Sequence, residues 1–393
     1  MRLGIVASHP VQYQVPWYRA LAAREELQLT VYYALLPTPA QQGVGFGEQF
    51  AWDVPLLDGY RWQALPNAAR APSLDGFLAS RTPAVTEVLE TARPDAVIVS
   101  GWHALPLLQA TRACRRLGIP CLVRGESSGL RRRPWWARAV HRRLLAGFDA
   151  FLAIGEANRE FYLSNGVPRA RIFSVPYFAD NERFAEQAAR WRPERDAIRR
   201  GWGIAPDEAC FLFAGKLVPK KRVLDFLAAC AFARERMPAI RALVVGSGEM
   251  AEAAMRLAAE RALEAVFVGF LNQTEISRAY VAADALVLPS DYGETWGLVV
   301  NEAMVHGLPA IVSDRVGCGP DLVEEGLTGR IFPCGNVRAL ARVLTETAVD
   351  ADRRGEMGRH ARRRVAAYSA ERAVEGTLEA IAFLAGERVE APA

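Results

Sequence analysis

The sequence predicts an α/β protein made of two doubly wound, Rossmann-like halves, and three observations carry that expectation. Short β-branched and apolar runs alternate with helical-period segments along most of the chain. The alternation comes as two successive series, separated by a charge-rich stretch at 190–203. At 393 residues the chain also exceeds what one ordinary core holds. Strand–helix–strand repetition calls for right-handed crossovers onto a parallel sheet.

In the first series, 3–7, 27–33, 96–99, 121–124, 150–154 and 172–175 read as buried strands, with helices at 104–116 and 156–163. In the second, 210–214, 243–246, 266–268, 285–288 and 310–312 read as strands. Helices are predicted there at 223–236, 250–262, 273–282 and 298–305. The expected division is 1–178 for the first domain, 179–203 for a linker and 204–366 for the second domain. A C-terminal helix within 367–393 is expected to pack back toward the first. Ligands in such folds bind at strand C-termini. Residues 37–60, rich in Gly and Pro without a period, read as a long surface excursion that helps select a substrate.

Composition excludes several classes. A content of 51% hydrophobic and 23% charged residues is that of a globular protein. A net charge of +4 does not call for nucleic acid, and no recognition signature is present. Six cysteines without C-x-x-C spacing read as reduced thiols of a cytoplasmic protein. The N-terminus is too short for a signal-peptide core, and no apolar run reaches the ~18 residues of a membrane span.

Basic residues are distributed unusually. Of 48, only Lys216, Lys220 and Lys221 are lysine, all within one six-residue stretch. Lysine is a compact point charge and arginine a wide planar fork, so this clustering points to a tight anion site.

The run Asp291-Tyr-Gly-Glu-Thr-Trp-Gly-Leu-Val-Val-Asn-Glu302 follows the predicted strand 285–288 and opens a helix near Leu298. If that helix extended back to Glu294, Glu294 and Glu302 would lie about 80° apart on one side of it. Between them, Gly297 and Leu298 offer free backbone N–H groups at a helix N-terminus, a ready phosphate site.

This run resembles the Glu-x7-Glu motif of retaining glycosyltransferases of family 4, which have the GT-B fold. The stretch Gly215–Lys221 resembles the basic motif that opens that family's second domain. Gly317-Cys-Gly-Pro-Asp-Leu-Val and Gly326-Leu-Thr-Gly329 resemble the turn-rich run after the glutamates, and Gly101-Trp-His-Ala104 the histidine turn of the first domain. The resemblance implies a GT-B fold, with two Rossmann-like domains facing across a cleft. It implies that Lys216 and Lys221 bind a donor diphosphate, with Gly297 and Leu298 N–H groups on its oxygens. It implies Glu302 on the ribose hydroxyls, Glu294 on the transferred sugar, and His103 approaching that sugar from the opposite domain. The first turn, Ser8-His9-Pro10-Val11-Gln12-Tyr13, lacks the family's glycine pair; His9 and Gln12 belong to this acceptor-side or phosphate loop. Position 216 is more usually arginine, and Arg222 stands where glycine is common.

The reaction expected is transfer of a sugar from a nucleotide-diphosphate donor to a hydroxyl acceptor. The resemblance implies retention of configuration, with front-face attack expected since no carboxylate here is an obvious covalent nucleophile. Lysines and helix amides would stabilise the leaving diphosphate, so no metal or other cofactor is expected. Two rival readings are a GT-B nucleotide-sugar epimerase, which needs no acceptor, and a non-catalytic sugar-nucleotide-binding protein.

Two local patterns are set aside. Gly246-Ser-Gly-Glu-Met-Ala251 imitates a dinucleotide fingerprint but lacks the final glycine and lies in the second half, so it reads as a strand-to-helix turn. Asp350-Ala-Asp352 imitates a metal-binding pair but reads as a helix cap. The stretch 131–143 holds six arginines, two tryptophans and no acid. It reads either as a peripheral contact with an anionic membrane, with a lipid-linked acceptor from envelope or capsule polysaccharide assembly, or as a solvated helix whose tryptophans pack on the core.

Overall fold

A computed structural model describes residues 1–131 and 133–386. The chain divides into two compact units. The first contains Met1–Gln42, Pro55–Tyr177 and the C-terminal helix Ala370–Leu384; the second contains Gly43–Val54 and Phe178–Ser369. Residues 387–393 of the expected C-terminal segment lie outside the described residues.

Among the described residues the first unit holds seven strands: β1 (Arg2–Ala7), β2 (Gln28–Tyr33), β3 (Trp62–Ala64), β4 (Ala96–Val99), β5 (Cys121–Val123), β6 (Ala150–Ala153) and β7 (Ile172–Ser174). They lie in the order β3-β2-β1-β4-β5-β6-β7, every pairing parallel. β4, β5 and β6 are buried at every residue, as expected of strands covered by helices on both faces. Val97, Val99, Leu107, Phe151 and Phe161 share the core on one face of this sheet. Against β7, the C-terminal helix makes a close backbone approach: a Cβ on Gly376 would stand 1.8 Å from the Ser174 carbonyl oxygen.

The second unit holds six: β8 (Ala209–Ala214), β9 (Ile240–Val245), β10 (Val266–Gly269), β11 (Ala285–Leu288), β12 (Ala310–Ser313) and β13 (Gly329–Phe332). Their order is β10-β9-β8-β11-β12-β13, again all parallel. In both sheets the winding reverses beside the first strand, between β1 and β4 and between β8 and β11. Outside the strand C-termini at such a switch point a crevice opens.

Several stretches differ from the expectation. Residues 179–203 fold into the helices Asn181–Trp191 and Arg195–Gly201, which belong to the second unit. Arg199, only 2% exposed, is anchored by Asp284 at 3.2 Å and by three backbone carbonyls. The stretch is thus helical and anchored through buried Arg199, while Arg190, Arg192, Glu194, Asp196 and Arg200 stay exposed.

The excursion at 37–60 is also divided. Gly43–Val54 packs as a strap on the second unit, where Phe46, Phe50 and Trp52 cluster with Phe270 just beyond β10. The Phe50 and Phe270 rings lie 4.5 Å apart. Polar ties at Glu48–Ser247, Ala51–Asn272 and Asp53–Thr274 fasten its length.

Strands β3 and β13 were not expected; both are short edge strands. Among the described residues, no helix is long and apolar enough to cross a membrane.

Candidate functional site

At the switch point of the second sheet, the segment after β8 carries the lysines and the segment after β11 carries Glu294. Lys221 forms an ion pair with Glu294 Oε2, their side chains 15% and 13% exposed. Ser290 Oγ donates to the same oxygen at 3.2 Å. Lys220 sits beside them, its Nζ donating to the Gly293 carbonyl at 3.4 Å, while Asp291 N–H donates to the Lys220 carbonyl at 2.9 Å. These contacts join the two crossovers at their mouths.

Arg222 follows with φ +54°, a left-handed conformation that explains why glycine is common at this position. Its guanidinium bonds Asp225 at 2.7 Å in the first turn of helix Val223–Arg234, which offsets part of the backbone cost.

Glu294 lies in the turn before the helix Leu298–Val305, not within it. The two motif carboxylates therefore do not share a helical face. Gly297 is the N-cap with φ +104°, and a Cβ there would stand 2.7 Å from Leu288 Cδ2. At this φ glycine opens the helix without the backbone strain that a side chain would bring. The N–H groups of Gly297 and Leu298 stand at the helix start, where no intrahelical acceptor exists.

The turn is clamped from behind by the glycine-rich run after β12. Gly317 N–H donates to Glu294 O at 3.2 Å and Cys318 N–H to Trp296 O at 2.9 Å. Trp296 Nε1 in turn donates to Asn301 Oδ1 at 2.8 Å.

Glu302 is 1% exposed, and Tyr280 donates its hydroxyl to Oε2 at 2.6 Å. The expectation of an open ribose contact thus meets a carboxylate sequestered beneath the helix. Tyr280 was not legible as a site residue, since nothing local marks it. Lys216 likewise leaves the cluster: its ammonium donates to the strap's Val44 carbonyl at 2.7 Å and lies 4.7 Å from the centre of the Phe46 ring. In this state the strap holds it.

Directly below, His306 accepts no charge. It is 5% exposed, its Nδ1 lies 2.7 Å from the Glu302 carbonyl, and burial pushes its pKa down to about 4. A carbonyl oxygen only accepts, so Nδ1 carries the proton of a neutral ring. Arg192 and Arg362 act in the same direction, against the Glu302 backbone bond, and Phe184 and Tyr280 close the ring in.

Because the unfolded chain takes up this proton near pH 6.5, the contribution is complete above that value and is lost as pH falls toward 4. Its size is on the order of 3 kcal/mol. Urea unfolding at stepped pH is expected to show this slope in the second unit, and His306→Gln to flatten it. An unchanged slope in the variant would refute the assignment.

In the first unit, the segments after β1 and β4 meet at that sheet's switch point. They bring His9 and His103 into one pocket of about 150 Å³, with Ser8, Ser73, Phe77 and Ser80. Ser8 Oγ and His9 Nδ1 lie 2.9 Å apart. Burial lowers the His103 pKa below the usual imidazole value, with Glu126 pulling the other way, so the ring is neutral at pH 7. Gln12 sits in the turn that opens helix Val15–Ala22 and is not among the lining residues. Ser73 and Ser80 come from an irregular segment with no motif of its own; only the topology joins them to the histidines.

Both decoy patterns are structural. Gly246–Met250 leads from β9 into helix Ala251–Glu260. Asp350 caps helix Ala351–Ala366, accepting from Arg353 N–H at 2.9 Å. Among the described residues no group of three or more His, Cys, Asp or Glu side chains is disposed to hold a metal ion. All six cysteines are free thiols.

The fold is that of a two-unit α/β protein that gathers Lys220 and Lys221 beside a helix start at the second switch point. Residues 11–177 match the sequence profile of a glycosyl transferase 4-like domain, and 194–364 that of glycosyl transferases group 1. The chain belongs to the GT-B glycosyltransferases.

Among its relatives, a D-inositol 3-phosphate glycosyltransferase of Nocardia farcinica is 32% identical over 249 residues, covering 61% of this chain and 53% of that one. A GDP-mannose-dependent alpha-mannosyltransferase of Mycobacterium tuberculosis is 32% identical over 264 residues, covering 63% and 61%. The chain thus spans less than two thirds of either relative.

Similar solved structures include Anabaena HepE in complex with UDP and glucose, with a TM-score of 0.71 at 16% identity, covering 97% of this chain and 99% of that one. Sucrose-phosphate synthase from Thermosynechococcus elongatus has a TM-score of 0.71 at 20% identity, covering 98% and 100%.

Proposed function

We propose that this protein is a retaining, metal-independent glycosyltransferase that moves a sugar from a nucleotide-diphosphate donor to a hydroxyl acceptor. The observation that carries the reading is the Lys221–Glu294 ion pair beside the Gly297 helix start, at the switch point of the second sheet.

Cleaving a bond from an anomeric carbon to a diphosphate leaves positive charge on the sugar and negative charge on the departing oxygen. Lys221 and the Gly297 and Leu298 amides are preorganised for that anion, so they stabilise the transition state without reorganising. Glu294, held by Lys221 and Ser290, orients sugar hydroxyls rather than acting as a base. Lys216 joins the diphosphate once the strap releases it, and Glu302 takes the ribose once the Tyr280 bond opens. Neutral His103, with His9 and the pocket serines, forms the acceptor-side hydroxyl site. The acceptor we propose is lipid-linked, met at the inner face of a membrane during envelope polysaccharide or glycolipid assembly.

Melting shifts of the full chain across nucleotide diphosphates and nucleotide sugars test the donor half of the reading. The panel starts from UDP, which the structurally similar Anabaena protein holds. At least one member is expected to raise Tm, by ~2.7 kcal/mol of linkage at a hundredfold excess over Kd. No shift with any member would overturn the reading. With the binding donor in hand, turnover is expected to persist in EDTA and to give a product with the donor's anomeric configuration. Metal-restored activity or inverted product would refute those two features.

A further inference from the structure

We infer that the helix Trp135–Leu145 of the first unit docks on an anionic lipid bilayer through an exposed face of tryptophan, valine and arginine. This deepens the membrane part of the proposed function, and the donor chemistry does not depend on it.

The helix is eleven residues long, and Leu145 is its one buried residue. Its inner side is set by His141, whose ring lies 5.2 Å from Phe161 and 6.5 Å from Trp102, and by Leu145 one turn on. At 100° per residue, positions 137, 141, 144 and 145 form that inner side, which turns 135, 136, 139 and 143 outward. Trp135 is 81% exposed, Trp136 58% and Val140 61%. The alternative in which these tryptophans pack on the core is therefore overturned. Two adjacent indoles left in water at this exposure have no folding role.

The charge surrounding them names the occupant. Arg131, Arg138, Arg142 and Arg143 are exposed, and among the described residues none of them nor Arg133 is paired with a carboxylate. Arg132 lies outside the described residues. Arg133 and Arg138 are tethered, to the Ser128 and Ser164 carbonyls at 2.8 and 2.9 Å, and so fix the helix on its unit. Arg131, Arg142 and Arg143 make no such tie and remain for a partner.

A protein groove would balance exposed indoles with apolar surface and scattered charge of both signs. The described arginines of 131–143, in a stretch without an acid, instead complement a sheet of phosphates. Indoles with arginines lie together at the headgroup level of a bilayer, the ring edge in the acyl boundary and the cation at the phosphate.

The test is flotation of the full chain with vesicles of phosphatidylcholine alone and of phosphatidylcholine with phosphatidylglycerol. Binding is expected only to the anionic vesicles at low salt, falling about tenfold or more at ~0.5 M salt. The double variant Trp135→Ser/Trp136→Ser and the variant Arg142→Glu/Arg143→Glu are each expected to lose about tenfold or more in affinity.

These positions are exposed, so both variants are expected to melt as the parent does, which separates docking from folding. Brominated anionic lipid is expected to quench tryptophan emission in the parent and not in the double tryptophan variant. Absence of binding at low salt, or unchanged binding by either variant, would overturn the inference. So would concentration-dependent dimerisation that the tryptophan variant abolishes. A donor-induced melting shift that survives such a failure leaves the transferase reading standing.

Discussion

Lys221→Met is expected to reduce sugar transfer by ~10²–10³-fold, the scale seen when one preorganised donor to a developing oxyanion is removed. The same change is expected to destabilise the second unit by about 2–3 kcal/mol, because it strands Glu294 with 13% exposure and only the Ser290 hydroxyl for compensation. A fall in activity alone would thus be ambiguous. The double variant Lys221→Met/Glu294→Gln resolves it: with neither charge left, stability is expected to return to within about 1 kcal/mol of the parent. Activity is not expected to return, since the leaving diphosphate still lacks its ammonium. Urea unfolding and single-turnover transfer, run on both variants, check the two limbs. Recovery of activity in the double variant would mean the pair is a structural clamp and nothing more.

Gly317→Ala is expected to cost about 3 kcal/mol or more and to abolish donor-induced stabilisation. A Cβ at 317 would stand 1.8 Å from the Thr295 carbonyl oxygen and 2.4 Å from its carbon. Both are backbone atoms, so no side chain swings aside, and the two runs must separate. Separation breaks the Gly317–Glu294 and Cys318–Trp296 backbone bonds and lets the turn carrying Glu294 drift from Lys221. Gly319, two residues on, supplies the control: its added Cβ would meet nothing nearer than Val312 Cγ2 at 3.9 Å. Gly319→Ala is therefore expected to stay within about 1 kcal/mol of the parent. Equal unfolding midpoints for the two variants would refute the clamp.

Much of the site was legible because its parts obey local rules. The strands ending at Ala7, Val99, Ala214 and Leu288 were visible as apolar runs, and ligand-facing residues follow strand ends in a parallel sheet. Gly297 before an apolar run marked the helix start. What misled was distance along the chain. Six-residue proximity does not say which group each lysine meets before a donor is bound. In the structure Lys216 goes to Val44, and Lys221 to Glu294. An eight-residue interval suggested that Glu294 and Glu302 share a face, but the helix begins at Leu298 and Glu302 turns inward to Tyr280. The strap at 43–54 was invisible for a related reason. Its aromatic residues have no period because they pack on a ring from another part of the chain, Phe270.

The amino-acid sequence by itself determined the two series of strands, the helix start at Gly297, and a short list of lysines, histidines and carboxylates. Those are consequences of local spacing and of what each residue type does at a strand end. The tertiary structure alone decided which cation meets which carboxylate, which acid is buried, and that Trp135 and Trp136 face water. The reason is physical: pairing depends on which strands become neighbours, β8 beside β11 and β1 beside β4, and burial depends on what packs over a face. Both are set by contacts between residues far apart in the chain, to which local periodicity is blind.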